Sequence, residues 1–223
     1  MEEPILLLNL LKIPGFEHYP HVPYTWLIMI LLTLVSFIVV RRLSLVPGPI
    51  QNAIELVFLG LNNLIKDTMG EKGKAFMPLF IAEALFIFTA NMIGVIPTFF
   101  SPTADLNTTA AMAICVFLLT HIIGVITHGF KYLKQFLGPV WWLIPIFIPI
   151  EIISHLSRPL SLSVRLFGNI RGEDLVLAIL LLLVPYLLPI PMLFLMIFTS
   201  LLQTFVFILL TMLYISGALE GAH

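Results

Sequence analysis

Long apolar runs separated by short polar segments dominate the chain, and this pattern predicts an all-α integral membrane protein. A helix needs about 20 mostly apolar residues to cross a bilayer core of about 30 Å. The runs predict one polytopic membrane domain with about five membrane helices, preceded by a polar to mixed outer lead at 1–23. The predicted membrane helices cover residues 24–40, 76–96, 108–128, 146–184 and 190–217, and the second and third of them form a hairpin.

A different pattern at residues 47–70 predicts an amphipathic helix that lies on or near the membrane surface. Apolar residues recur there at helical spacing, while Glu55, Lys66 and Asp67 occupy the other faces. This segment therefore adds a surface helix to the predicted membrane helices.

The last two predicted helices are too long for an upright crossing. A helix rises 1.5 Å per residue, so residues 146–184 would span roughly 58 Å and residues 190–217 roughly 42 Å. Either these helices break, with Pro159 as the expected position in the first, or the two lie strongly tilted as a hairpin. Strong tilt would bring many residues of 146–184 to a similar depth in the membrane.

Composition agrees with a membrane location, and the distribution of charge predicts an orientation. Only 10% of the residues are charged, whereas a soluble domain is typically about 25% charged. No basic patch or tail indicates nucleic-acid binding. Lys and Arg concentrate at 41–75 and 129–138 and are absent from 97–107 and 184–190. Because basic loops stay in the cytoplasm, we expect an outer N-terminus and a cytoplasmic C-terminus.

Charged and polar residues inside 146–184 fall on one narrow face of the predicted helix. At 100° per residue, with Arg165 at zero, this face spans about 80°. We call it the polar stripe; its members are Glu151, Ser154, Arg158, Ser161, Arg165, Asn169 and Gly172. Glu173 lies at the edge of the stripe, whereas Asp174 points away from it if the helix is regular. Ionised groups at membrane depth cost a few kcal/mol each, so they commonly mark ion or substrate pathways.

Arg165 has the chemistry of a fixed cation beside a proton path. Guanidinium does not deprotonate in proteins, so it cannot relay a proton, but it can hold a carboxylate ionised and block leakage. Four nearby groups can hydrogen-bond water or exchange protons: Asn169, Glu173, Asp174 and Gln203. Three structural interpretations remain open, namely pairing among the stripe's own charges, an interhelical hydrogen bond for Gln203, and a snorkelling side chain for Arg158.

Three motifs resemble subunit a of F-type rotary ATP synthases. They are PLSLSVRLFGN at 159–169, LLQTFVFILLTMLYIS at 201–216 and PTADLNTT at 102–109. The resemblance covers most of the chain and keeps the order and spacing of its segments.

The resemblance implies a proton-translocating stator subunit that has no chemistry of its own. Its last two helices would lie tilted against a ring of c subunits, and two aqueous half-channels would each reach the ring from one side. Proton flow through them would drive ring rotation and ATP synthesis. The implied partners are the c ring, the peripheral-stalk b subunits, the remaining ATP synthase subunits and the lipid bilayer. The implied location is a bacterial plasma (inner) membrane, and no cofactor is implied.

The resemblance also implies roles for individual residues. Arg165 matches the arginine that separates the half-channels and meets each ring carboxylate in turn. Glu151 matches an acid of the cytoplasmic half-channel, and Asn169, Asp174 and Gln203 match polar positions of the outer one. Counting from the arginine selects Asp174, whereas the helical wheel favours Glu173, so both stay candidates.

One position departs from the family pattern. Many relatives carry His or Glu seven residues before the glutamine, where this chain has Met196. The outer half-channel must then depend on Asp174, Glu173 or a group elsewhere, and Glu83 and His121 are intramembrane candidates for it outside the recognised motifs. Arg158 and Ser161 are further candidate proton-path residues on the stripe. The sequence does not distinguish H⁺ from Na⁺ as the coupling ion, and H⁺ is the default.

Two other function classes account less well for the sequence. A secondary transporter with an intramembrane charged site is the alternative, although such proteins often contain internal repeats and none is visible here. An intramembrane enzyme is disfavoured because the chain has no GxSxG, no HExxH and no Cys/His metal cluster.

Overall fold

The computed structural model describes residues 21–41, 43–44, 47–96, 99–129, 132, 144–183 and 189–220. Six α-helices account for most of them, and the described ranges contain no β-strand. In chain order the helices are α1 (His21–Arg41), α2 (Pro49–Met69), α3 (Met77–Gly94), α4 (Leu106–His128), α5 (Ile144–Leu183) and α6 (Pro189–Glu220). Two short 3₁₀ helices, Gly70–Phe76 and Pro102–Ala104, precede α3 and α4.

The predicted fold class, an all-α membrane protein, is confirmed. Four described helical stretches are long and apolar enough to cross a membrane: His21–Arg41, Gln51–Gly94, Leu106–His128 and Pro189–Glu220. The stretch at 51–94 includes the segment predicted as a surface helix, because α2 continues through the 3₁₀ turn into α3. Helix α5 is long enough to cross but carries the polar stripe, which lowers its hydropathy.

Helix α2 packs its C-terminal end into the protein. Its Ile65 and Met69 share a buried cluster with Ile208, Met212 and Ile215 of α6. The remainder of α2 presents exposed apolar side chains at 56–59. The helix ends at Gly70, whose φ of +65° is a conformation that glycine adopts at little cost. The end of α2 is therefore fixed against α6, whereas its N-terminal half is uncovered in the isolated chain.

Helix α5 continues unbroken through both of its internal prolines, Pro149 and Pro159. A proline inside a helix usually kinks or breaks it, because the residue lacks an N–H and its ring crowds the preceding turn. Of the two alternatives left open by the sequence, a break at Pro159 is therefore excluded. With 40 residues, α5 is about 60 Å long, twice the thickness of a bilayer core.

A buried hydrogen-bond network fixes the start of α4 against the end of α3. The Ser101 hydroxyl donates to the Ala90 carbonyl at 2.9 Å, and the Thr103 hydroxyl donates to Asn91 Oδ1 at 2.6 Å. Asp105 caps α4 by accepting from the Asn107 amide at 2.8 Å. These bonds fix the position of α4, which packs along α5.

The long helices meet in a shared apolar core. Ile87 of α3, Val116 of α4, Leu166 of α5 and Phe207 of α6 are all buried there. Because α5 packs between α4 and α6, its Leu162, Leu166 and Ile170 face inward. The polar stripe lies beside this buried face, at an angle to it of roughly 100° of helix rotation.

Some sequence predictions fall outside the described residues. They concern most of the outer lead, the aromatic stretch with Trp141 and Trp142, the basic residues Lys131 and Lys134, and most of the turn before α6.

Candidate polar site on helices α5 and α6

The central part of the polar stripe lies on the exposed side of α5. Arg165, Ser161 and Ser154 are exposed, whereas the neighbouring Leu162 and Leu166 are buried. No described carboxylate forms an ion pair with Arg165. A permanently charged guanidinium therefore faces outward from a membrane helix without an anionic partner in the described part of the chain.

Asn169 connects the stripe to α6. Its Nδ2 donates to Gln203 Oε1 at 2.9 Å. The Gln203 side chain is only 4% exposed, so this hydrogen bond between two side-chain amides lies at the protected edge of the interface between α5 and α6. The interhelical hydrogen bond considered from the sequence is present, and it lies one helical turn from Arg165.

Glu173 extends this contact by one turn. Its carboxylate lies near the Thr199 hydroxyl of α6, which also reaches the Leu195 carbonyl oxygen at 3.0 Å. Thr199 precedes Gln203 by four residues. Asn169 with Gln203 and Glu173 with Thr199 thus form two successive polar contacts between the helices, which we call the hairpin polar row. Asp174 is half-buried, and the positive charge of Arg171 is close enough to attract its carboxylate. The two neighbouring acids therefore have different surroundings.

Glu151 contacts a histidine rather than an arginine. Its Oε1 lies 3.1 Å from His155 Nε2, four residues later on α5. His155 in turn meets His121 of α4, with ring centroids 5.1 Å apart and ring planes at 79°. The His121 Nδ1 lies 3.0 Å from the Phe117 carbonyl oxygen. The Glu151 carboxylate thus contacts the His155 imidazole, which in turn contacts the His121 imidazole of α4.

Arg158 lies beside this histidine group. Its guanidinium lies over the Tyr214 ring of α6, 5.4 Å from the centroid, and it lines a cavity together with His121. Arg158 is half-buried, so contact with an aromatic ring, rather than pairing with Glu151, accounts for its position.

Glu83 has a separate location. It interacts with the Thr211 hydroxyl, and Thr211 lies eight residues beyond Gln203 on α6, which corresponds to about 12 Å along the helix. One Glu83 oxygen is buried and has no hydrogen-bond partner among the described residues. The structure therefore does not bring Glu83 into the hairpin polar row.

Met196, at the position where the resemblance led us to expect a His or Glu, is buried at 3% exposure. The structure thus packs an apolar side chain at this position of α6. Among the described residues no group of three or more His, Cys, Asp or Glu could hold a metal ion.

Sequence reasoning missed His155 and Thr199 as partners of the candidate acids. The Glu151 and His155 spacing of four residues is a signal for contact on one helix face. No such signal pairs His155 with His121 or Glu173 with Thr199, because those contacts join different helices.

The family model described as ATP synthase A chain matches residues 22–216. The chain belongs to this family. It is 54% identical over 215 residues to ATP synthase subunit a 1 of Syntrophotalea carbinolica, covering 95% of this chain and 92% of the relative.

Two further relatives cover nearly all of the chain. ATP synthase subunit a of Geobacter sulfurreducens is 54% identical over 202 residues, which is 91% of this chain and 88% of the relative. ATP synthase subunit a of Trichlorobacter lovleyi is 48% identical over 231 residues and covers both chains completely. The resemblance drawn from the motifs is confirmed. The chain is a non-catalytic membrane-sector subunit of an F-type ATP synthase and a multi-pass protein of a bacterial membrane.

Proposed function

We propose that the chain is the proton-translocating stator subunit of the synthase, and that Arg165 separates two half-channels at the surface of a ring of c subunits. The observation that carries the proposal is the exposed Arg165 guanidinium on α5, which forms no ion pair with a carboxylate in the described ranges. A charge at membrane depth is costly and is normally paired or placed beside water. A carboxylate on a rotating partner would supply that pair, and guanidinium would remain charged as each carboxylate passed.

The two half-channels would approach Arg165 from opposite ends of the polar stripe. We assign the hairpin polar row of Asn169, Gln203, Glu173 and Thr199 to the outer half-channel. We assign Glu151, with Ser154 and Ser161 between it and Arg165, to the cytoplasmic one. Asn169 is exposed beside Arg165 and its amide is held by Gln203, which supports a fixed polar lining at that point.

The length of α5 supports a tilted arrangement against the ring. At about 60 Å, an upright α5 would extend far beyond the bilayer at both ends. Tilting brings more of the exposed stripe to the depth at which a ring carboxylate would pass.

Orientation and other partners complete the proposal. Lys66, Lys72 and Lys74 lie at the end of α2 and in the turn before α3, so this end faces the cytoplasm under the positive-inside rule. Within its described residues α1 buries only Tyr24 and Ile28. Lipid and the peripheral-stalk b subunits are the partners we assign to its other faces.

The test is substitution of Arg165 in the assembled synthase. Arg165→Ala should abolish ATP-driven proton pumping and gradient-driven ATP synthesis, because ring carboxylates lose the cation that separates the half-channels. Arg171→Ala is the matched control, since Arg171 is exposed on the same helix but off the stripe. It should retain most of the coupled activity.

Both rates are measured in proteoliposomes and normalised to the amount of complex that contains the subunit. Normal pumping by Arg165→Ala would contradict the proposal. Equal losses in the two variants would also contradict it, because the position on the stripe would then have no special role.

A further inference from the structure

His121 and His155 are two imidazoles placed between apolar helices, and the half-channel roles described above use neither of them. His155 is 4% exposed. Placing a polar ring in such a position costs desolvation unless its hydrogen bonds are replaced. A leucine would fill a similar volume without this cost, so packing alone gives no reason for two histidines here.

The contacts place three side chains that can exchange protons one after another. Glu151 Oε1 is 3.1 Å from His155 Nε2, which is within hydrogen-bonding distance. The two imidazole rings are perpendicular, with centroids 5.1 Å apart. The ring centres are close enough for one bridging water molecule to serve both imidazoles, and a proton can be transferred through one water. This series of contacts leads from the polar stripe of α5 to α4.

The tautomer of His121 suits a relay. Its Nδ1 is 3.0 Å from the Phe117 carbonyl oxygen, and a carbonyl oxygen can only accept a hydrogen bond. Nδ1 therefore carries the hydrogen, and the lone pair of neutral His121 is on Nε2. Imidazole is the side chain best suited to accept and release protons near neutral pH.

We propose that Glu151, His155 and His121 form a proton relay that extends the cytoplasmic half-channel from the ring-facing stripe of α5 to the cytoplasmic end of α4. The relay rests on the stator function proposed above. It gives His121 and His155 a role in proton transfer and makes the cytoplasmic path branch away from the ring.

The protons balance at each step. Protonated Glu151 gives its proton to His155 Nε2 and becomes a carboxylate. The His155 cation then releases its Nδ1 proton to His121 Nε2, and His121 passes that proton to water near the end of α4. His155 is left in its other tautomer and returns through ring rotation or proton exchange with water. During ATP-driven pumping the same steps run in reverse.

One fixed positive charge and two tyrosine side chains surround the path. Arg158 of α5 lines the cavity beside His121 and cannot relay a proton. Tyr214 of α6 lies under that guanidinium, and Tyr132 meets the edge of the His121 ring at 6.0 Å between centroids. These three groups and Glu151 are the titratable or charged residues that the described structure places around the two histidines.

The experiment uses the whole synthase in proteoliposomes whose cytoplasmic side faces the medium. The key variant is His155→Gln, which can still hydrogen-bond Glu151 but cannot accept a proton on one nitrogen and release it from another. Because a positioned acid or base typically contributes 10²-fold or more, and water can replace part of it, we expect ATP-driven pumping to fall about tenfold at medium pH 8. The pumping rates of His155→Leu and His121→Leu should fall by the same factor as that of His155→Gln. All three losses should be smaller at medium pH 6, where free protons are abundant.

The packing control is Phe117→Leu. It removes a ring that contacts His121, with centroids 4.2 Å apart and ring planes tilted by 44°, but keeps the backbone carbonyl that fixes the tautomer. This variant should lose less than about twofold at every pH, because it removes no group that exchanges protons. Rates are normalised to assembled complex, so a Leu variant that assembles poorly leaves the Gln variant as the decisive measurement.

A fully active His155→Gln enzyme, a loss independent of medium pH, or an equal loss in Phe117→Leu would each overturn the relay. The Arg165→Ala variant, measured in parallel, separates this outcome from failure of the stator function. If Arg165→Ala abolishes pumping while the histidine variants pump normally, only the relay is wrong.

Discussion

The choice between Glu173 and Asp174 as the acid of the outer half-channel can be decided by two matched substitutions. Glu173→Gln and Asp174→Asn each replace a carboxylate by an amide of nearly equal size. Both remove a group that can take up and release a proton. The two residues are adjacent on α5, so differences in membrane depth are small.

The structure predicts that Glu173→Gln has the larger effect. Glu173 contacts Thr199, one turn or about 6 Å along α5 from the Asn169 amide that bonds Gln203. A positioned acid or base contributes typically 10²- to 10⁴-fold, and channel water can replace part of it, so we expect a loss of at least about tenfold. Asp174→Asn, off the row, should cost less than about twofold.

The assay is ATP synthesis driven by an imposed proton gradient in proteoliposomes, at equal amounts of assembled complex. Thr199→Val provides a second check, because it keeps the shape of the side chain and removes the hydroxyl beside Glu173. It should reduce the rate less than Glu173→Gln does. A larger loss in Asp174→Asn than in Glu173→Gln would refute the reasoning, since the family position rather than the observed contact would then define the channel.

Two further predictions concern packing. In Gly124→Ala the new Cβ would overlap the ring of buried Tyr132, so we expect a stability loss of about 1–3 kcal/mol, seen as earlier release of the subunit when the purified complex is heated. Gly217→Ala, where a Cβ meets nothing within 4 Å, is the control that should melt normally. Met196→Glu should reduce the amount of assembled subunit, because the site is buried and an unpaired polar group there costs about 1–3 kcal/mol; assembly equal to that of Met196→Leu would show that the position faces water.

The fold class was predictable from hydrophobic pattern alone. Apolar runs of membrane length leave helices as the simplest way to pair every backbone group in lipid. Whether α5 breaks at Pro159 was not predictable from the hydrophobic pattern. A proline lowers the local stability of a helix, but the packing of Leu162 and Leu166 into the core shared with α4 and α6 fixes the neighbouring turns and keeps α5 continuous.

The polar stripe was also largely determined by the sequence. Spacing along one regular helix places Arg165, Ser161 and Asn169 on one face, and the structure leaves all three exposed. A single helical wheel, however, contains no information about the neighbouring helix. The bond between Asn169 and Gln203 joins residues 34 positions apart, and only the packing of α5 on α6 brings them together.

Residues 151–174 separate what the amino-acid sequence determines from what the tertiary structure determines. The sequence alone determined that this segment is helical, too long for an upright span, and charged along one side, because those properties depend on local periodicity and composition. The tertiary structure decided which group each charge meets: Glu151 meets His155, Arg158 meets Tyr214, and Glu173 meets Thr199. The contacts made by Arg158 and Glu173, like that between His155 and His121, join different helices, so they depend on the relative position and rotation of packed helices, which no single segment specifies.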